Sequence, residues 1–170
     1  MNMNEGLLHE YDHEMANTRR TLERVPTDKL DYKPHSKSGT MGWLAGHVAR
    51  MGEWLATTIQ HDTLALDGMT SDPDPASAEE LLEKFDKCTA EGREALAAAS
   101  NETLLSNWSM TMGGKTLLDM PKITVIRGFV MNHMIHHRAQ LALYLRLNDI
   151  PVPALYGPSA DEGQMGEPLS

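Results

Sequence analysis

The sequence predicts an all-α protein, a four-helix bundle with a short β-hairpin between its third and fourth helices. Three observations carry this. Four stretches repeat apolar residues at steps of three and four, the spacing of one helix face. The segments between them are polar or rich in Pro and Gly. The one clearly alternating stretch, residues 108–118 (WSMTMGGKTLL), is short and centred on Gly113-Gly114, a hairpin signal rather than a sheet core. At 170 residues the chain is long enough for a single domain over 1–170 with a sizeable core.

The first helix follows from Leu7, Leu8, Tyr11, Met15, Thr18, Leu22 and Val25, and ends at Pro26. His9 and His13 are spaced i, i+4 on it but project opposite that stripe, which places them in solvent. Residues 27–39 are polar, contain Pro34, end in Gly39 and read as a loop holding His35. The second helix runs from an N-cap at Thr40 to about residue 60. Thr40, Trp43, Leu44, Met51, Trp54, Leu55 and Thr58 share the face of His47, so that histidine lies on an inward stripe between two tryptophans. Residues 62–76, with Gly68, Pro73, Pro75 and scattered acids, read as an exposed connection.

Ser77-Ala78-Glu79-Glu80 is a capping box that opens the third helix. Its inward stripe is Leu81, Leu82, Phe85, Cys88, Thr89, Gly92 and Leu96. Gly92 there leaves room for close helix packing or for a pocket, with packing the favoured reading, and Cys88 reads as a small core residue rather than a nucleophile. After the hairpin, Asp119-Met120-Pro121 starts the fourth helix, with Pro tolerated in its first turn. Residues 149–170 form an extended tail, packed in part through Val152, Leu155 and Tyr156.

The fourth helix carries the chemistry. At about 100° per residue, His133 and His137 lie one turn apart on one face. Ile126, Phe129, Val130, Gln140, Leu141 and Tyr144 fall within about 80° of His133, so both imidazoles sit on an inward, mostly apolar stripe. Two such histidines are costly unless their nitrogens are satisfied. A divalent metal satisfies them, and so would hydrogen bonds to core neighbours; the spacing alone leaves both open. His47 supplies a third inward imidazole from a facing helix. Three neutral imidazoles suit Zn, Ni, Fe or Cu better than Mg or Ca, and three protein ligands leave an open position. His136 sits to one side of the pair, as a packed residue or one supporting a ligand. Gln140 could orient a ligand or a bound water, and Tyr144 and Trp54 belong to the pocket lining.

The segment Asn132-His133-Met134-Ile135-His136-His137-Arg138-Ala139-Gln140-Leu141 resembles the fourth-helix signature of the DinB-like (DinB/YfiT) family of metal-binding four-helix bundles. Gly42-Trp43-Leu44-Ala45-Gly46-His47-Val48 is similar to that family's second-helix segment. The tail Ile150-Pro151-Val152-Pro153-Ala154-Leu155-Tyr156-Gly157-Pro158-Ser159 resembles a family tail. Carried over position by position, the resemblance implies His47, His133 and His137 as ligands of one divalent metal per chain, often Ni or Zn. It also implies homodimers and kinship with thiol-dependent transferases that use bacillithiol or mycothiol, including a mycothiol-dependent maleylpyruvate isomerase.

Two readings therefore stand. One is a metal-dependent thiol S-transferase-like enzyme in detoxification or stress response. The other is a non-enzymatic metal-binding stress-response protein; a metallohydrolase using activated water is a variant weakened by the lack of an inward carboxylate. A plain helical module with three satisfied core histidines completes the alternatives. With 24 acidic and 15 basic residues and a formal charge of −9, nucleic-acid and anionic-membrane partners are disfavoured. A small-molecule thiol or electrophile fits better. The single Cys88, the lack of a membrane-length apolar run and an N-terminus unlike a signal peptide predict a cytoplasmic protein. Gly128, Met131, Ile135, Ala139 and Ala142 line the other face of the fourth helix, an expectation of cover by helix 1 or by a second copy.

Overall fold

The computed structural model describes residues 2–70 and 73–163. Helix α1 (Met3–Leu22) buries Leu7, Tyr11, Met15, Thr18 and Leu22, the expected stripe. A 3-10 turn at Thr27–Lys29 leads to α2 (Met41–Ala49), whose first turn is capped by the Thr40 hydroxyl accepting from the Trp43 N–H at 2.9 Å. Helix α4 (Ala78–Ala98) opens on the Ser77 cap, with the Ser77 hydroxyl accepting from Glu80 N–H. Among the described residues no helix is long and apolar enough to cross a membrane.

The all-α four-helix bundle with a lone hairpin is not what forms. Three departures share a cause, since tertiary contacts override local periodicity. First, the connection after the second helix contains β1 (Thr63–Ala65), which pairs in parallel with β2 (Asn107–Met112); β2 pairs antiparallel with β3 (Lys115–Pro121). The result is a three-stranded mixed sheet in the order β1-β2-β3. A three-residue strand is too short to show a period, and its parallel partner lies beyond α4, a crossover no local pattern announces. The hairpin turn does use Gly113 and Gly114 at φ 58° and 71°, a left-handed region that favours glycine. Asp119 to Pro121 belong to β3 and do not start a helix.

Second, the second helix is interrupted at Arg50 (φ −91°, ψ 0°), which ends α2 and opens α3 (Met51–Gln60). Gly52 explains the gain. A Cβ there would lie 2.2 Å from the Cys88 carbonyl oxygen, and one at Gly92 would lie 2.6 Å from the Gly52 carbonyl oxygen. The backbones of α3 and α4 touch through two glycines, and Cys88 is buried beside them. Gly92 is thus the close-packing residue that its place on the stripe suggests.

Third, the final helix is compound. After a short α5 (Asn101–Leu105) and the hairpin come α6 (Lys122–Val125), a π segment at Ile126–Met131, and α7 (Asn132–Arg146). Single wide turns of this kind recur at functional sites. Here it carries Phe129, one turn before His133. The stripe expected to need an outside cover is partly its own core: Met131 is fully buried and Ile135 packs on the core, while Gly128 and Ala139 are exposed.

Up to residue 163 the tail is clamped by charge, not by grease alone; the rest of the expected tail, 164–170, lies outside the described residues. Glu162 is buried and accepts from Arg20 (2.6 Å), Arg24 (3.0 Å) and the Ala154 N–H (2.8 Å). Tyr156, expected as a packing residue, is instead an exposed ring whose hydroxyl reaches inward. That hydroxyl donates to Glu14 (2.6 Å) and accepts from Arg138.

Candidate metal centre

Helices α2 and α7 aim three imidazoles at one point. His47 Nε2 lies 3.4 Å from His133 Nε2, and His137 Nε2 lies 2.8 Å from the same atom. One nitrogen from each of the three falls within 4.8 Å of the others, and each residue is half-buried. Among the described residues this is the group of three or more His, Cys, Asp or Glu able to hold an ion, and it includes no carboxylate or thiol. Nitrogens about 2.0–2.1 Å from a common ion at tetrahedral angles stand about 3.4 Å apart. The His47–His133 separation already has that value.

The protons in the cluster give a second test of fit. The Gln140 amide oxygen is 2.7 Å from His137 Nδ1 and accepts its proton, which leaves His137 Nε2 with a lone pair. The 2.8 Å contact then requires His133 to donate from Nε2, which strands His133 Nδ1 without a proton. That buried Nδ1 indeed makes no hydrogen bond. The other tautomer carries the proton on Nδ1, and the Phe129 backbone favours a proton on this ring. His133 Nε2 is then free as a lone pair beside that of His137. Two facing lone pairs repel unless a cation joins them, so the donor set fits a divalent transition metal.

Aromatic rings hold the cage. The Trp43 indole stacks flat on His47, with centroids 5.3 Å apart and planes 4° off parallel. Trp54 meets His47 and His133 edge-on at 5.7 and 5.9 Å, and stacks on Phe129 at 5.5 Å. Gly39 lies against Trp43, where a Cβ would come within 2.5 Å of the indole. Burial is the first cause holding the His47 imidazolium down, to a pKa of about 4, followed by His137, His133 and Arg50. Burial, then His137, lowers His133 as well.

These shifts carry a prediction for the metal-free protein. The unfolded chain takes up protons near pH 6.5, whereas folded His47 takes one up only near 4. The stability that depends on a neutral His47 is therefore complete above about pH 6.5 and is lost as the pH falls toward 4. Urea unfolding of chelator-treated protein should show that decline, and His47→Gln should flatten it. An equal slope in both proteins would refute this account.

Of the remaining expected site residues, Trp54 and Gln140 stand in contact with the cage. His136 is exposed and meets His137 edge-on at 5.0 Å, outside the cluster. Tyr144 does not line the cage: it is buried against Tyr32, and its hydroxyl donates to the Gly39 carbonyl at 3.4 Å. Its contribution reaches the site through the Gly39 loop and Trp43. Sequence reasoning left Trp43 and Phe129 without a role, although both share wheel faces with the histidines. Arg138 gave no such signal. It lies next to His137 yet is buried, donating to the Glu14 carboxylate (2.7 Å), the Glu14 carbonyl (3.0 Å) and the Thr18 hydroxyl (3.0 Å).

Comparison with known proteins agrees with this architecture. The curated protein YrdA of Bacillus subtilis (strain 168) is 25% identical over 157 residues, covering 91% of this chain and 89% of its own. The crystal structure of a DinB-like protein from Bacillus cereus ATCC 10987 superposes with a TM-score of 0.72 at 23% identity, over 91% of this chain and 98% of that one. A DinB-like protein of Bacillus subtilis, YjoA, gives 0.67 at 17% identity, over 94% and 99%. These two structures share the fold. The DinB family model matches residues 1–169, and the chain belongs to the DinB family.

Proposed function

We propose that this protein is a metal-dependent enzyme that transfers a small thiol to an electrophile in detoxification or stress response. His47, His133 and His137 would hold one divalent transition metal per chain, with Zn or Ni the best matches and Fe or Cu also suited to three imidazoles. The observation that carries the reading is three converging imidazole nitrogens with no carboxylate among them. When bound, such an ion supplies the positive charge that deprotonates a thiol or water near neutral pH. A metallohydrolase usually wants a carboxylate base beside its ion, so the donor set favours the thiol.

The chain's own groups would do the rest. Gln140 fixes the His137 tautomer, Phe129 and Trp54 keep water from one side, and Trp43 braces His47. Cys88 is no candidate nucleophile, since burial pushes its thiol up and it sits against Gly52. The thiol must come from a separate molecule. Its sulfur would form the new bond to carbon while the leaving group departs with its electron pair and the thiol proton passes to solvent.

The test is turnover. Metal-loaded protein with bacillithiol, mycothiol, glutathione or cysteine should conjugate monobromobimane or 1-chloro-2,4-dinitrobenzene well above the uncatalysed rate. His47→Ala should return it to that rate. A fully loaded protein with no acceleration for any thiol would leave the non-enzymatic reading, in which the ion ties α2 to α7. A homodimer accompanies the proposal, supported by Leu143 on α7 and Leu147 just past its end, which expose 57% and 53% of their surface. Sedimentation as a monomer at micromolar concentration would refute it.

A further inference from the structure

The mixed sheet does more than cap the helices. Between it and α3 lies a pocket of about 110 Å³ lined chiefly by Trp54, Leu64, Leu66, Trp108, Met110 and Phe129. Glu53, Thr57, Thr58 and Met69 complete its lining, and Met69 is 60% exposed. Two of the lining rings belong to the histidine cage as well. Trp54 and Phe129 stack on each other, and His133 packs on both at 5.9 and 5.7 Å. The pocket is therefore one aromatic ring away from the candidate metal centre. It is not a remote surface dimple.

Its chemistry selects what can enter. Most of the lining is apolar, and Glu53, near Lys84 at 4.0 Å, is the one ionisable residue in it. With no cation among its lining residues, the pocket gives a carboxylate or phosphate no counter-charge, and the Glu53 carboxylate opposes them; the buried Trp108 indole N–H, which has no hydrogen-bond partner, is a neutral donor in the lining. An apolar cavity of about 150 Å³ in another protein takes one benzene; this smaller pocket opens to solvent beside Met69, so it suits an alkyl group or a single ring seated only in part. Met69 and Met110 are unbranched and adapt to the occupant.

We propose that this pocket is the binding site for the neutral, apolar, single-ring-sized group of the electrophile. Naming the occupant as part of the electrophile rests on the thiol-transfer reading; the pocket's preference for neutral apolar groups does not. Large polar cosubstrates would approach from the Trp43 side, where the indole is 41% exposed.

Fluorobenzene and 4-fluorobenzoate, titrated by ¹⁹F NMR into metal-loaded and metal-free protein, test it. Fluorobenzene should bind at least tenfold more tightly than 4-fluorobenzoate in both forms. Leu64→Trp, which fills the pocket from β1, should weaken fluorobenzene at least tenfold with metal content unchanged. Thr57→Phe, from the half-exposed face of α3, should do the same and decides the matter if Leu64→Trp does not fold. In cobalt-loaded protein, fluorobenzene should shift the visible bands, because His133 packs on Trp54 and Phe129, which line the pocket. Equal affinity for the two probes, or binding undiminished in both variants, would overturn the pocket. Pocket binding in a protein that takes up no metal would instead overturn the thiol-transfer reading, and with it the naming of the occupant.

Discussion

Protein reconstituted with Zn or Ni is expected to carry about one ion per chain, and His137→Ala almost none. The arrangement leaves little room for a milder result. His137 Nε2 is the lone pair that Gln140 holds ready, and it faces His133 Nε2 at 2.8 Å. Without it, two imidazoles remain on a site with no carboxylate to stand in. Removing a partner that merely orients a ligand costs about 10–100-fold in affinity, and removing the ligand itself should cost more. Stability should follow occupancy, because an ion that binds only the folded chain stabilises it by about 4 kcal/mol at a free concentration 1,000 times its dissociation constant. Chelation should therefore lower the melting temperature of the parent and barely move that of His137→Ala. Gln140→Ala should fall between them, keeping the ion with affinity reduced about 10–100-fold. Elemental analysis and thermal melts before and after chelation read all three proteins. A parent that takes up no metal after reconstitution would end the metal reading.

What the sequence revealed and what it hid divide along the range of the interactions. The stripe of α1, the caps at Thr40 and Ser77 and the glycine turn at 113–114 are local, and each was legible. The three histidines were legible as well, because inward placement at i, i+4 and on a facing helix is a property of spacing. His9 and His13, with the same spacing on an outward face, are both exposed in the structure. The mixed sheet was not legible. Thr63, Leu64 and Ala65 make sense as a strand only beside Ser109, Met110 and Thr111, more than forty residues on. The break at Arg50 serves a contact between Gly52 and Cys88 that no helical period contains. The π segment likewise has no sequence period of its own, and it carries Phe129 to the wall between pocket and cage. Locally invisible geometry thus supplies the features that would make this site selective, whereas the visible pattern supplies its donors.

Arg138→Ala is expected to be the most damaging substitution outside the cage, costing about 3–5 kcal/mol in urea unfolding. Arg138 is 1% exposed and Glu14 is 6% exposed, so neither charge can turn to water when its partner is lost. The guanidinium serves four acceptors at once: the Glu14 carboxylate and carbonyl, the Thr18 hydroxyl and the Tyr156 hydroxyl. Cutting it leaves a buried carboxylate whose remaining hydrogen bond comes from Tyr156, a residue 63% exposed and carried on the tail. Tyr156→Phe alone should cost about 1.5–3 kcal/mol, since the hydroxyl lost makes two hydrogen bonds and both are to charged groups. A double replacement, Glu14→Leu with Arg138→Met, should cost less than Arg138→Ala, because it removes both charges and keeps the volume. A loss under about 1 kcal/mol for Arg138→Ala would mean that water or another group satisfies Glu14. The network also bears on function. Arg138 follows His137 in the chain and bolts α7 to α1 through Glu14 and Thr18, which sets the rotation that turns His133 and His137 toward His47. If that is its use, Arg138→Met should weaken metal uptake although it touches no ligand, whereas Tyr156→Phe should leave uptake unchanged.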